Sequence, residues 1–369
     1  MLEYMKRIGL GLSATMNKNI IDLYNQNYFN YLFDDTEAIE FKHIEQLSEC
    51  LRDDFADITT TTAITVVIPT YCRIDSIRRA IECLKNQKDC SLFSILVICD
   101  DPRPSIIDDF MLKVDLNNVI YYKNKKNLGV FGNWNLGVFL SKTKWVTVLC
   151  DDDYLYIDYM KTVQDLIYKN PEKKYFLTGH DRAIGNLTDE ITEKINDFQI
   201  QYLRKGGNGF YKKQNKSRRH DINFDDYALT DQLYKIPLGD IYLRDVFLRL
   251  GGMQQRFYPA GDCAMILRYL DKEGGLYYYY GKAGCVSVGM NESIKPENIE
   301  KSRSQVAAMR MISLDRSSLP LKFIIKKEIE LSVEDSNMLP FGMKLYRKIL
   351  RLIKKLVNII VKSRLNQSN

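Results

Sequence analysis

Residues 64–71, ITVVIPTY, are an unbroken apolar, largely β-branched run interrupted only by Pro69, and no other segment constrains the fold as strongly. A strand with no polar alternation is buried on both faces, as in a parallel sheet covered by helices. The next segment, SIRRAIECLKNQ, places Ile77, Ala80, Ile81 and Leu84 at helical spacing, and FSILVICDDP supplies a second apolar strand ending on two carboxylates. Together they predict a βαβ unit. A third strand, NVIYYKN, leads into a Gly- and Asn-rich loop, NLGVFGNWNLG, a helix, and the strand KWVTVLC that runs straight into DDDYL. Alternation of this kind implies an α/β fold with a mainly parallel sheet, right-handed crossovers and ligands beyond the carboxyl ends of the strands.

The polar residues stand at those ends. Thr70 and Arg73, Asp100 and Asp101, and Asp151 to Asp153 each come directly after an apolar strand, so they are expected on one rim. Three adjacent carboxylates repel one another unless a cation neutralises them, and Mg²⁺ or Mn²⁺ suits such oxygen donors. The competing reading is a solvated turn in which Asp caps the next helix. DDPRP is likewise a plausible turn sequence.

A chain of 369 residues with 45% hydrophobic content buries a large core in one α/β domain with attachments, or in two domains. Its eight cysteines are scattered, form no CxxC pair and read as reduced thiols of a cytosolic protein. The first residues turn polar before an apolar signal region develops, and no run of 18 uncharged apolar residues predicts a spanning helix. The net charge of +6 is uneven: residues 340–369 carry eight Lys and Arg and no acid, leaving −2 for the rest. A nucleic-acid-binding body is therefore not expected.

VVIPTYCR, VICDDP, NLGVFGNWNLG, VLCDDDYL, LGGM and AGDCAMILR, in that order over roughly residues 64–290, resemble the family 2 glycosyltransferases of the GT-A fold. The resemblance implies a nucleotide site at Pro69, Thr70, Tyr71, Arg73, Asp100, Asp101, Asn127, Asn135, Asp151 and Asp152. It implies Mn²⁺ or Mg²⁺ held by Asp152 and Asp153, with the assignment inside the triplet open by one residue because Cys150 replaces the first acid of the usual pattern. Asp262 is the expected general base, with Arg268 further along the same helix, although Gly261 stands where a second acid is common. The implied reaction is inverting transfer from a nucleoside-diphosphate sugar, a UDP-sugar favoured, to a hydroxyl of a glycan or lipid-linked saccharide in cell-surface polysaccharide synthesis. The cation that meets the leaving diphosphate stays open among Lys125, Lys126 and the basic loop 204–219. A nucleotidyltransferase and a non-catalytic nucleotide-binding assembly partner are the alternatives.

The expected layout is an N-terminal segment of unknown role (1–62), a GT-A domain (63–290, nucleotide half 63–160, acceptor half 161–290) and a helical C-terminal region (291–369). Its last segment, FGMKLYRKILRLIKKLVNIIVKSRL, sets Leu345, Ile349, Leu352, Ile353, Leu356, Val357 and Ile360 on one helical face, with Lys344, Arg347, Lys348, Arg351, Lys354 and Lys355 on the rest. Such a basic amphipathic helix either packs on the protein body or lies in an anionic membrane interface through residues 341–364. The second reading places the protein peripherally on the cytoplasmic face of the cell membrane.

Overall fold

In the computed structural model, residues 38–54, 63–88, 93–184, 219–229, 238–288, 295–333 and 341–365 are described, with Leu32, Phe33, Thr188, Glu190 and Thr192 as isolated positions. Ser48–Asp53 (β1), within the segment whose role the sequence leaves unread, pairs antiparallel with Val119–Asn124 (β4). Ile64–Thr70 (β2) and Phe93–Cys99 (β3) are buried at every position, as their apolar runs predict. Between them Ile74–Lys85 (α1) buries Ile77, Ala80, Ile81 and Leu84. Ile106–Lys113 (α2) joins β3 to β4, and β4 pairs parallel with β3. These crossovers carry every β2, β3 and β4 carboxyl end to one rim.

The Gly- and Asn-rich stretch expected as a loop is helical from Gly129, as Gly129–Leu140 (α3). Its composition serves packing on the sheet. A Cβ on Gly137 would lie 2.5 Å from Val67 Cγ1, so only glycine lets this helix approach β2 so closely. Leu136 and Val138 are buried beside it, and the buried Asn133 amide donates to the Ile98 carbonyl at 3.2 Å.

Trp145–Val148 (β5) pairs parallel with β2 on the side opposite β3. Tyr154–Leu155 (β6), Tyr159–Lys169 (α4), Tyr175–Ile184 (β7) and Arg219–Asp221 (β8) come next. Then come Phe224–Leu229 (α5), Ile241–Leu243 (β9), Arg244–Arg249 (α6), Gly261–Lys272 (α7) and Leu276–Val288 (β10). The described strands make one mixed, mostly parallel ten-stranded sheet in the order β1-β4-β3-β2-β5-β9-β7-β10-β6, with β8 on β10. This sheet unit lies within residues 36–222 and 234–294. Most of the basic loop 204–219 lies outside the described residues.

A second compact unit contains α5 and three C-terminal helices, Pro296–Arg316 (α8), Lys322–Ser332 (α9) and Phe341–Leu365 (α10). Ala228, Leu229, Met311, Ile325, Ile329 and Val357 form its core. Glu328 is fully buried there, 2.9 Å from Arg310 and 3.0 Å from Lys354. A buried carboxylate needs such partners, and it reorients α10 relative to the expectation from the helical wheel. Arg347, Leu350, Lys354 and Val357 are buried, so two cations expected on the polar side join the packed face, while Val357 of the expected apolar face stays on it. Leu345, Ile349, Leu352, Leu356 and Ile359 are left exposed at spacings of four and three residues. Among the described residues, no helix is long and apolar enough to cross a membrane.

Candidate active site

The rim assembles because three strands deliver polar residues at the same level. Thr70 closes β2, and its hydroxyl donates to Asp151 Oδ2 at 2.7 Å. Leu149 extends the β5 ladder by donating to the Val67 carbonyl, which sets the acidic run beside the β2 end. Arg73, immediately before α1, lies 2.6 Å from Asp151 Oδ1 and 3.3 Å from Asp152 Oδ2. Pro69 is buried within β2, while Tyr71 stands half-exposed at the mouth. Burial pushes the Asp151 carboxyl up to about 6, against the pull of Arg73 and Thr70.

Asp153 is buried and accepts the Ser287 N–H from β10 at 3.1 Å. Burial, reinforced by the Asp152 charge, raises its carboxyl well above the usual range, and the Cys150 thiol is raised for the same reasons, burial foremost. Asp152, Asp153 and Cys150 each offer a ligand atom within 4.8 Å of the other two. The two carboxylates fit a hard divalent cation, with the softer thiol at the margin. Asp151 is engaged by both Arg73 and Thr70, while Asp152 meets only the more distant Arg73 contact and Asp153 the Ser287 N–H. An open cleft of about 1200 Å³ begins at Arg73, Asp152, Tyr154 and Ser287 and runs along α1.

Asp100 and Asp101 part company. Asp100 is buried and accepts from Asn124 Nδ2 at 2.8 Å, from the Leu128 N–H at 2.8 Å and from the Gly129 N–H at 3.0 Å, so it shapes the turn into α3. Asp101 pairs with Arg103 at 2.8 and 2.9 Å and accepts the Cys72 thiol at 2.9 Å. Hydrogen bonding to Arg103 holds its carboxyl well below the ordinary value. The pair with Cys72 ties the loop after β3 to the loop after β2. Asn127 accepts the Gly129 N–H at 2.9 Å, and Lys125 and Lys126 are exposed.

The structure gives Asn135 other work than facing the acidic run: its amide donates to the Met253 carbonyl and accepts the Met253 N–H, both at 2.8 Å. Arg268 is fully buried and donates to the carbonyls of Leu250 and Gly252 at 2.7 and 2.6 Å, so it braces the LGGM turn. Asp262 sits in the first turn of α7, with Oδ1 on the Cys263 N–H at 2.8 Å. Asp240, which no sequence motif marks, is buried beside this region. It accepts the Thr178 N–H and the Tyr175 hydroxyl, each at 3.0 Å. β9 runs antiparallel to β5, so Asp240 lies at the end of β5 from which the acidic run departs. Burial pushes its carboxyl up to about 8, and the Asp262 charge adds to this. The available signal was a lone acid between apolar segments in PLGDIYL.

A mixed, mostly parallel sheet with helices on its faces and an acidic rim beyond its central strands is the architecture of the GT-A glycosyltransferases. Staphylococcus aureus TarS residues 1–349, solved in complex with UDP-GlcNAc, shares this fold at a TM-score of 0.51 and 14% identity, over 78% of this chain and 79% of that one. Residues 65–229 match the family model described as glycosyl transferase family 2, and the chain carries a domain of that family. An uncharacterized glycosyltransferase of Mycoplasma genitalium is 25% identical over 58% of this chain and 64% of its own length. A second, from Mycoplasma pneumoniae, is 21% identical over 74% of this chain and 86% of its own. The chain thus spans somewhat under two thirds of the first relative.

Proposed function

We propose that the protein transfers a sugar, with inversion, from a nucleoside-diphosphate sugar to a hydroxyl of a glycan acceptor. The observation that carries this reading is the convergence of Thr70 and Arg73 on Asp151 and Asp152 at the carboxyl ends of β2 and β5. A UDP-sugar is the favoured donor. Asp152 and Asp153 would hold Mn²⁺ or Mg²⁺, which when bound supplies positive charge to the diphosphate. Arg73, held over Asp151 and Asp152, brings a guanidinium to the same place, where charge develops as the diphosphate departs. Asp151 orients Arg73 and the Thr70 hydroxyl. Asp262 accepts the proton of the attacking hydroxyl, which requires hydrogen-bond reach in the bound complex. Single displacement at the anomeric carbon inverts its configuration.

The exposed stripe of α10 supports contact with an anionic membrane surface. Leu345, Ile349, Leu352, Leu356 and Ile359 are flanked by Lys344, Lys348, Arg351 and Lys355, and the helix has no acid. Apolar burial and headgroup attraction then act on the same face. Peripheral placement suits a lipid-linked saccharide acceptor and surface polysaccharide synthesis. The deciding experiment is calorimetric titration with UDP, GDP, dTDP and CDP, with and without Mn²⁺, on the protein and on Asp152→Ala. Metal-dependent binding of one nucleotide, lost in the variant, is expected; absence of binding by all four refutes the donor assignment.

A further inference from the structure

Arg103 has no part in the transfer described above, yet it anchors the loop that does. It stands between Pro102 and Pro104, whose rings fix their own backbone, and its carbonyl accepts Lys123 Nζ from β4 at 2.6 Å. From this stiff segment the guanidinium grips Asp101. Nε donates to Oδ1 at 2.8 Å, Nη2 to Oδ2 at 2.9 Å, and the Arg103 N–H to Oδ1 at 3.1 Å. A carboxylate held bidentately keeps one orientation. Its Oδ2 accepts the Cys72 thiol at 2.9 Å, and Arg103 Nη2 donates to Cys72 Sγ at 3.4 Å. Cys72 has a φ of 56°, in the left-handed region that side chains other than Asn and Asp enter at a cost. Tyr71 and Arg73 flank that bend, and Arg73 reaches both Asp151 and Asp152.

We infer that Arg103 is a positioning residue of the nucleotide site: through Asp101 it holds Cys72 in the left-handed bend that aims Tyr71 and Arg73. A cysteine does not stabilise such a bend by itself, so the bend needs support from outside, and the thiol contact with Asp101 supplies it. Backbone strain of this kind persists where surrounding structure over-determines it, and a functional loop is such a place. A relaxed φ at Cys72 would redirect the chain between Tyr71 and Arg73 and pull the guanidinium off the acidic run. A bend held in advance spares the nucleotide the cost of ordering it. The Arg103 side chain is 69% exposed, so it contributes little to packing, whereas Asp101 is 6% exposed. Cys72 and Arg73 line the mouth of the cleft and Arg103 does not, which favours action through Asp101 over contact with the ligand. The inference rests on the proposed transfer, because it needs a nucleotide diphosphate at this loop.

The test is calorimetric titration of the full chain with UDP and Mn²⁺. Arg103→Ala frees Asp101 and lets Cys72 leave the bend; if about one molecule in ten then keeps the competent loop, UDP binds about tenfold more weakly. Cys72→Asn in the Arg103→Ala background is expected to restore affinity to within about twofold of the original chain, because Asn sustains a left-handed φ without the clasp. Cys72→Val, with Arg103 in place, should weaken UDP at least as much as Arg103→Ala, since a branched side chain opposes that φ. Unchanged affinity in Arg103→Ala or in Cys72→Val overturns the positioning role and spares the transferase reading. A loss in Arg103→Ala that Cys72→Asn does not restore also overturns it, since Arg103 would then touch the nucleotide directly. Absence of UDP binding by the unaltered chain removes the UDP donor and the inference together.

Discussion

Gly261 opens α7 at a position where an alanine should, on helix propensity, stabilise by up to about 1 kcal/mol. The structure predicts the opposite sign. An added Cβ would lie 2.5 Å from Phe131 Cε2 and 2.6 Å from Cζ, far inside van der Waals contact. Phe131 is 6% exposed and braced by Trp134 and Tyr258, so the ring has little room to retreat. Overpacking of this kind costs about 1–3 kcal/mol, which leaves Gly261→Ala destabilised by roughly 1–2 kcal/mol after the propensity gain. Phe131→Leu removes three buried carbons and costs about 2 kcal/mol at ~0.8 kcal/mol per carbon. In that background Gly261→Ala becomes neutral or stabilising, a coupling of about 1–3 kcal/mol. Urea unfolding monitored by tryptophan emission is the assay, since Trp134 and Trp145 both belong to the sheet unit. A stabilised Gly261→Ala protein, or additive single effects in the double variant, would refute the reasoning.

Buried charge and the exposed stripe carry further expectations. Glu328→Ala strands Arg310 and Lys354 without their carboxylate and should cost about 3–5 kcal/mol, seen as an earlier loss of helical circular dichroism in urea; an unchanged midpoint contradicts the network. The Glu328 carboxyl is lowered on folding by Arg310 and Lys354 despite its burial, so its contribution is present above the ordinary glutamate range and lost as pH falls below it. Asp240 has the reverse sign: its folded value of about 8 exceeds the unfolded one, so stability is full below about pH 4 and declines as pH rises towards 8. Asp240→Asn should flatten that decline in urea titrations across the range, and an unaltered slope would exclude Asp240 as its source. Leu352→Glu with Leu356→Glu should abolish co-sedimentation with phosphatidylserine vesicles while leaving nucleotide binding intact, because both side chains are more than half exposed.

The strand ends were legible in the sequence because short, β-branched apolar runs bounded by turn residues read as buried strands, and the residues directly after such a strand lie at the sheet rim. That logic puts Thr70, Arg73, Asp100, Asp101 and Asp151 to Asp153 on one rim. It did not divide labour among them. Asp151 and Asp152 are chemically identical in the chain, and only the Thr70 hydroxyl and the closer approach of Arg73 distinguish the first. Asp101 goes to Arg103 and Asn135 goes to Met253 because side-chain pairing depends on neighbours that are remote or unspecified in sequence.

Local pattern therefore determined which elements exist: period and burial are properties of a few consecutive residues. Tertiary structure decided the helical state of the Gly- and Asn-rich stretch, since Gly137 is needed only once β2 lies against it. It also decided which face of α10 turns inward, since a helical wheel cannot see Glu328. The buried acid Asp240 and the aromatic contact with Gly261 belong to the same class. Each is an interaction between segments, and its energy exists only after folding has excluded water from between them.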